Sequence, residues 1–381
     1  MRILHFIYDH FENPWGGGGG ANRVWQICRH LMEIGHDCTV LTGGYPGAVD
    51  GVRHGVRYRH MAGGNSFRSS TLRYMAGVQR FLLRHGREYD VVVECFSPFN
   101  PVFSRPLAGT TTIIQLQGYL PRSVLRHYGT MGWVALAIQR AYPLLFRYAI
   151  FQTPDLGSRW PCWNQQRYWV PNGVQHDLLE LPETDGSYLL YLGRLSWLEK
   201  GFDVLVEAMK VVWARHPDVQ LVIAGHGKDE ARIKKALHEA GNGRVRFMGF
   251  VCGQQKEEAI KHSRALLLPT RAEGYPNCVL EAAACAKPVV GSDIPELAHL
   301  KREGIGLNTT TGDAHAFAAG ILRLLENPDL SGRLAARGRH WASQQSWEQT
   351  AKRYERALFS AIRGVKSAEV GDEPNELMNG A

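Results

Sequence analysis

The sequence predicts an α/β protein made of two doubly wound parallel-sheet halves. Three observations carry this expectation. Short apolar runs bounded by turn residues recur along the chain, amphipathic helical stretches separate them, and the series starts afresh near residue 187. A length of 381 residues agrees with two domains of roughly 150 to 200 residues each.

In the first half, strand-like runs fall at Arg2 to Tyr8, Cys38 to Leu41, Val91 to Glu94, Thr112 to Leu116, Ala149 to Gln152 and Tyr168 to Val170. The clearest helix between them is Ala21 to Ile34, where Val24, Ile27, Cys28 and Leu31 share one face and Gly35 closes the element. The second series reads Ser187 to Leu192, Val219 to Ala224, Val245 to Met248, Ala265 to Leu268 and Pro288 to Gly291, with helices such as Asp203 to Ala214 and Glu230 to Ala240 between. Pro171, Asn172, Gly173, Pro182 and Gly186 mark the connection. The expected domains are therefore 1–175 and 176–347, with a C-terminal helix at 348–363 rejoining the first and a frayed tail at 364–381.

Composition narrows the function. Hydrophobic residues at 44% and charged residues at 21% suit a chain with a sizeable core. The net charge is +8, and no lysine precedes Lys200, so the first half is basic through arginine alone. Those arginines are scattered, and no nucleic-acid signature accompanies them, which speaks against a nucleic-acid partner. Seven cysteines form no CxxC pair and are odd in number, as expected of a reduced, cytoplasmic protein. The start, MRILHFIYDH, turns polar at Asp9 and reads as a first strand rather than a leader. The longest apolar stretch, Trp133 to Phe151, is broken by Gln139, Arg140 and Arg147, so any membrane contact is expected to be peripheral.

Several constellations carry chemistry. Gly16, Gly17, Gly18, Gly19 and Gly20 lie directly after the first strand and before the first helix, where backbone can approach a ligand and a helix N-terminus can meet an anion. The stretch YLGRLSWLEKGFDVL, residues 191–205, sets Arg194 and Lys200 astride a loop at a strand's carboxyl end, a place for a diphosphate. In RAEGYPNCVLEAAACAKPVVGSD, residues 271–293, Pro276 and Asn277 start a helix whose first turn, Cys278 to Leu280, offers free N–H groups. Glu281 then stands in an apolar run, where a carboxylate needs hydrogen bonds; ribose hydroxyls would supply them, and Glu273 would reach the other end of the same ligand. The plain alternatives are a solvated linker, a helix cap at Lys200, and a cation partner for Glu281 such as Lys287.

These residues, together with VPNGV at 170–174 and LVIAGHG at 221–227, resemble the retaining glycosyltransferases of the GT-B fold, glycosyltransferase family 4 (group 1). The resemblance runs from Arg2 to about Arg363. It implies two Rossmann-like domains facing across a cleft, a nucleotide-diphosphate sugar donor held mainly by the second, and an acceptor held mainly by the first. By that likeness Arg194 and Lys200 bind the diphosphate, Glu281 the ribose, and Glu273 the sugar hydroxyls. Asn172, Gly193, Gly225 and the segment Gly274, Tyr275, Pro276, Asn277, Cys278 and Val279 complete the donor site. No metal or other cofactor is implied. The acceptor is a glycan, a lipid-linked sugar or a small molecule.

Two positions depart from the family's pattern. Where many relatives carry a His-Gly pair, IIQLQGYLP at 113–121 puts Gln117 before Gly118; Gln117 can hydrogen-bond but cannot titrate. Gln175 follows Val174 where relatives often carry Asp. The expected mechanism is a metal-independent front-face displacement with retention. An oxidoreductase would need a third glycine that LVIAGHG lacks. A GT-B-fold nucleotide-sugar epimerase, a phosphorylase and a non-catalytic nucleotide-sugar-binding protein are the alternatives.

Overall fold

The computed structural model describes residues 1–13, 18–64, 66–161 and 164–365. Its contacts divide the chain into two units. One comprises Met1–Gln117, Gly129–Pro171 and the C-terminal segment from Trp347; the other comprises Gly118–Tyr128 and Asn172–Ser346.

The first unit is built on an eight-stranded sheet. Its strands are β1 (Arg2–Phe6), β2 (Asp37–Thr42), β3 (Gly51–Arg53), β4 (Val56–His60), β5 (Val91–Cys95), β6 (Thr111–Leu116), β7 (Tyr148–Phe151) and β8 (Gln166–Trp169). The order is β3-β4-β2-β1-β5-β6-β7-β8, parallel throughout except for the β3/β4 hairpin. Helices cover both faces, so the inner strands read as continuous apolar runs rather than alternating ones. β5, VVVEC, is buried along its whole length and holds one carboxylate, Glu94. That group is satisfied by the hydroxyls of Ser104 at 2.6 Å and Tyr142 at 2.7 Å, and burial pushes its pKa up.

Helix Gly19–Glu33 buries Val24, Ile27, Cys28 and Leu31 against this sheet. Its Arg23 is also buried, and the guanidinium donates to the carbonyl of Val170 at 2.7 Å. Helix Trp347–Arg363 packs in the same unit: Tyr354 donates to Gln115 at 2.8 Å, and Tyr168 donates to Ser360 at 3.0 Å.

The second unit holds a six-stranded, wholly parallel sheet of β9 (Tyr188–Leu192), β10 (Gln220–Ala224), β11 (Val245–Gly249), β12 (Ser263–Leu268), β13 (Val289–Ser292) and β14 (Gly306–Thr309). Its order, β11-β10-β9-β12-β13-β14, starts in the middle at β9, runs outward one way, then returns to β12 and runs the other way. The chain therefore reverses direction between β9 and β12. The carboxyl ends of those two neighbouring strands mark the crevice that is the natural ligand position of such a sheet. Among the described residues no helix is long and apolar enough to cross a membrane.

Candidate functional site

The loop after β9 and the loop after β12 are strapped together by backbone and hydroxyl bonds. Arg271 N–H donates to the carbonyl of Glu199 at 2.9 Å, and the Thr270 hydroxyl reaches the same carbonyl at 3.1 Å. The Arg271 guanidinium also grips Asp203 through two bonds of 2.7 Å. This fork geometry is the strong form of an Arg–carboxylate contact, and it fixes the spacing of the two loops. The predicted charges then fall into pairs. Lys200 Nζ lies 2.6 Å from Glu273 Oε1, with both side chains about nine-tenths buried, at 12% and 11% exposure. Arg194 Nη2 lies 2.7 Å from Glu199 Oε1. Burial pushes the Glu199 carboxyl up, yet Arg194, Lys200 and Lys228 outweigh it and hold the group below its ordinary value.

The two cations differ in availability. The Arg194 side chain is 62% exposed, whereas Lys200 is held in place by Glu273 and by the Ala272 carbonyl at 3.2 Å. Each of the two positive charges is thus balanced by a carboxylate, one pair buried and the other with its cation exposed.

Helix Asn277–Ala284 leaves the same loop with Pro276 at its N-cap. Asn172, almost wholly buried, positions that helix start: its amide donates to the Tyr275 carbonyl at 2.9 Å and to Asn277 Oδ1 at 2.5 Å. Expected as a donor contact, Asn172 thus spends its amide donors on the loop that would hold the donor. Cys278 sits in the first turn with Glu273 and Glu281 nearby; burial first, then those two carboxylates, push its thiol up and keep it protonated.

Glu281 bonds to Lys256 of helix Gly253–Lys261 at 2.7 Å. The sequence left a cation as the alternative partner of Glu281 and offered Lys287, but Lys287 donates to the Thr184 carbonyl at 2.6 Å instead. Lys256 was missed because it belongs to no motif. The only signal was the need of Glu281 for a partner. Burial lowers the Lys256 ammonium, but Glu281 outweighs this, and the group stays charged above its usual range.

The glycines at the strand ends keep the crevice floor tight. Gly193 N–H donates to Ala224 at 3.0 Å and Gly225 N–H to the Gly249 carbonyl at 2.7 Å. Gly225 has φ +142°, and a Cβ there would stand 1.9 Å from the Gly193 carbonyl oxygen, so only glycine fits. Gly274, Tyr275, Pro276 and Val279 all belong to the same loop and first turn.

Gln117 belongs to the first unit, at the carboxyl end of β6. Its side-chain oxygen lies 2.9 Å from where a Cβ of Gly20 would be, so the structure brings Gln117 to the start of helix Gly19–Glu33. Gly18 is the N-cap of that helix at φ +137°, with open space beside it. Gly19 opens the helix, while Gly16 and Gly17 lie outside the described residues.

An open-ended sheet of this order, with paired charges at its reversal point and a second parallel sheet in the same chain, defines an α/β protein of the GT-B fold. Sucrose-phosphate synthase from Thermosynechococcus elongatus superposes with a TM-score of 0.76 at 21% identity, over 94% of this chain and 99% of that one. HepE of Anabaena, solved in complex with UDP-glucose, superposes with a TM-score of 0.71 at 17% identity, over 94% and 100%. At such identities the likeness shows the fold.

Residues 186–327 match the family described as glycosyl transferases group 1, and the resemblance read from the sequence is to that family. Among curated relatives, the phosphatidyl-myo-inositol mannosyltransferase of Mycobacterium tuberculosis (strain H37Rv) is 30% identical over 224 residues, covering 55% of this chain and 58% of that protein. The enzyme of the same description from Mycolicibacterium smegmatis is 28% identical over 373 residues, covering 91% and 90%. The matched segment thus spans less than two thirds of the M. tuberculosis relative and nearly all of the M. smegmatis one.

Proposed function

We propose that the protein is a retaining, metal-independent glycosyltransferase of family 4. It moves a hexose from a nucleotide-diphosphate sugar to an acceptor hydroxyl. The observation that carries this reading is the pair of charge pairs, Lys200 with Glu273 and Arg194 with Glu199, at the reversal point of the second sheet beside the start of helix Asn277–Ala284. A diphosphate there meets an ammonium, a guanidinium and a helix N-terminus, which together can carry the charge that a divalent ion carries elsewhere.

In this reading Lys200 and Arg194 take the diphosphate, and Glu273, displaced from Lys200, accepts hydrogen bonds from sugar hydroxyls. Glu281 accepts from the ribose while Lys256, 2.7 Å away, holds its carboxylate in place. The C1–O bond to the diphosphate breaks, and the acceptor oxygen bonds to C1 from the same face. The acceptor proton passes to the departing diphosphate oxygen, whose growing charge the cations absorb. Gln117 can only hydrogen-bond to the sugar or acceptor, since its amide holds no titratable proton.

The UDP-glucose complex of a protein sharing this fold supports a nucleotide-sugar donor, and relatives named for phosphatidyl-myo-inositol support a lipid-linked hydroxyl as acceptor. Six described cysteines, all free thiols, suit the reducing cytoplasm. The test is product analysis with a nucleotide-diphosphate hexose in EDTA, with and without acceptor. Transfer with the anomeric configuration kept supports the reading. Sugar isomerisation without acceptor would make the protein an epimerase, release to phosphate a phosphorylase, and binding without turnover a non-catalytic binder.

A further inference from the structure

The first unit carries an apolar groove that the donor chemistry does not use. It encloses about 540 Å³ between helix Phe67–His85, helix Gly129–Ala141 and the loop after β5. Four large apolar side chains on its walls are open to solvent: Leu72 at 64%, Val134 at 60%, Met131 at 51% and Phe103 at 46%. A soluble surface rarely groups so much exposed apolar area without a partner. Phe103 is held at the rim in a left-handed backbone conformation, φ 58°, which a non-glycine residue adopts at a cost. Its N–H donates to the Tyr142 hydroxyl at 2.5 Å, and that hydroxyl donates in turn to buried Glu94. Of the polar lining, the Gln79 amide is already spent on the Val102 carbonyl at 3.0 Å, so the groove offers few groups to a sugar or peptide.

Charge selects the occupant. Helix Phe67–His85 bears Arg68, Arg73, Arg80 and Arg84 and no acidic residue. No Asp or Glu occurs between Asp50 and Glu88, nor between Glu94 and Asp155, so all three walls come from acid-free chain. The Arg73 guanidinium donates to the Gly63 carbonyl at 2.7 Å, while Arg68, Arg80 and Arg84 are exposed on the same helix as Leu72. Exposed aliphatic side chains beside exposed arginines match a layer of hydrocarbon beneath a plane of negative headgroups. We propose that this face docks on an anionic lipid membrane, with an acyl chain entering the groove. The proposal stands on this surface alone and does not need the donor assignment.

The experiment is co-sedimentation of the full chain with vesicles of phosphatidylcholine alone or mixed with phosphatidylglycerol, across a salt series. The expected result is binding to the phosphatidylglycerol vesicles that weakens as salt rises, and at least a fivefold loss of bound protein in the Leu72→Glu/Val134→Glu double variant. Both residues are exposed, so the variant should unfold at the wild-type temperature and bind nucleoside diphosphates as the wild type does. Arg80→Ala/Arg84→Ala, both exposed, should reduce binding to the anionic vesicles only. Equal sedimentation with both vesicle types, or undiminished binding by the double glutamate variant, would overturn the proposal. So would a lipid-independent dimer that the double variant splits, which would give the groove to a second copy of the chain. Nucleoside diphosphate binding measured in the same samples separates a failure here from a failure of the transferase reading.

Discussion

Replacing Lys200 by Met keeps the apolar stem and removes the charge. Glu273 then keeps a carboxylate that is only 11% exposed and has lost its 2.6 Å partner. Removing one member of a fully buried pair costs about 3–5 kcal/mol, because the remaining charge stays desolvated. Here the residual exposure lets water reach the oxygens, which brings the expected cost down to about 2 kcal/mol. For a unit of this size that is a loss of roughly 4–8 °C in melting temperature. Turnover should fall separately, by at least about tenfold, equivalent to about 1.4 kcal/mol of barrier, because the departing diphosphate loses its fixed cation. The Lys200→Met/Glu273→Gln double variant distinguishes the two effects. Without either charge, the desolvation penalty disappears and much of the melting temperature should return, while turnover should stay at or below that of Lys200→Met. Thermal melts and initial rates on the four proteins of this cycle give both numbers. Recovery of turnover together with stability would mean that Lys200 only balances Glu273, and the reasoning would fail.

Other consequences follow from the same geometry. Glu281→Ala should weaken binding of the free nucleoside diphosphate by about tenfold, or about 1.4 kcal/mol, in calorimetric titration; wild-type affinity would remove the ribose role. Lys256→Met should weaken it too, by removing the 2.7 Å partner that holds the Glu281 carboxylate in place, which the same titration would read as a several-fold loss of affinity. Gly225→Ala must push a Cβ into the Gly193 carbonyl at 1.9 Å, so it should lower stability by more than about 2 kcal/mol in denaturant melts. His5 is fully buried and stacked on Tyr354; burial first, and Arg23 second, lower its pKa from 6.5 to about 3. Below pH 6.5 the unfolded chain binds a proton that the folded chain refuses, so stability is full above 6.5 and is lost as pH falls toward 3. His5→Phe should flatten that decline by up to about 1.4 kcal/mol per pH unit, read from urea melts between pH 6.5 and 4.5, with His10 supplying part of what remains. An unchanged slope would show that His5 is charged in the fold.

The sheet strands were legible wherever burial on both faces made them continuous apolar runs, as in VVVEC or YLLYL. The hairpin of β3 and β4 escaped because it lies at the sheet's edge. Val56 and Tyr58 point inward while Arg57 and Arg59 face solvent, so the segment read as scattered basic charge. The turn at His54 and Gly55, both at positive φ, was its one local mark. β14, GLNT, is four residues long and half polar, too short for a period to register. In the site, loops after the first and fourth strands of a half are neighbours by topology alone, which is why Arg194, Lys200, Glu273 and Glu281 could be placed together from sequence. Their partners could not. Glu199 stands inside the 191–205 stretch, but nothing in its spacing pairs it with Arg194; Lys256 lies outside any motif, and which cation meets Glu281 depends on how helix Gly253–Lys261 packs against helix Asn277–Ala284. Nor could the sequence show that helices Phe67–His85 and Gly129–Ala141 wall one groove, since more than forty residues separate them.

The most direct test of a metal-independent nucleotide-sugar site on the second sheet is calorimetric titration of the full chain in EDTA with UDP-, GDP-, ADP- and dTDP-hexoses, repeated on Lys200→Met and Glu281→Ala. The account predicts saturable binding of one nucleotide series by the wild type, unchanged by added Mg²⁺ and weakened about tenfold or more in each variant. Binding that appears only with Mg²⁺, or that survives both substitutions, would contradict it, as would the absence of heat with all four series.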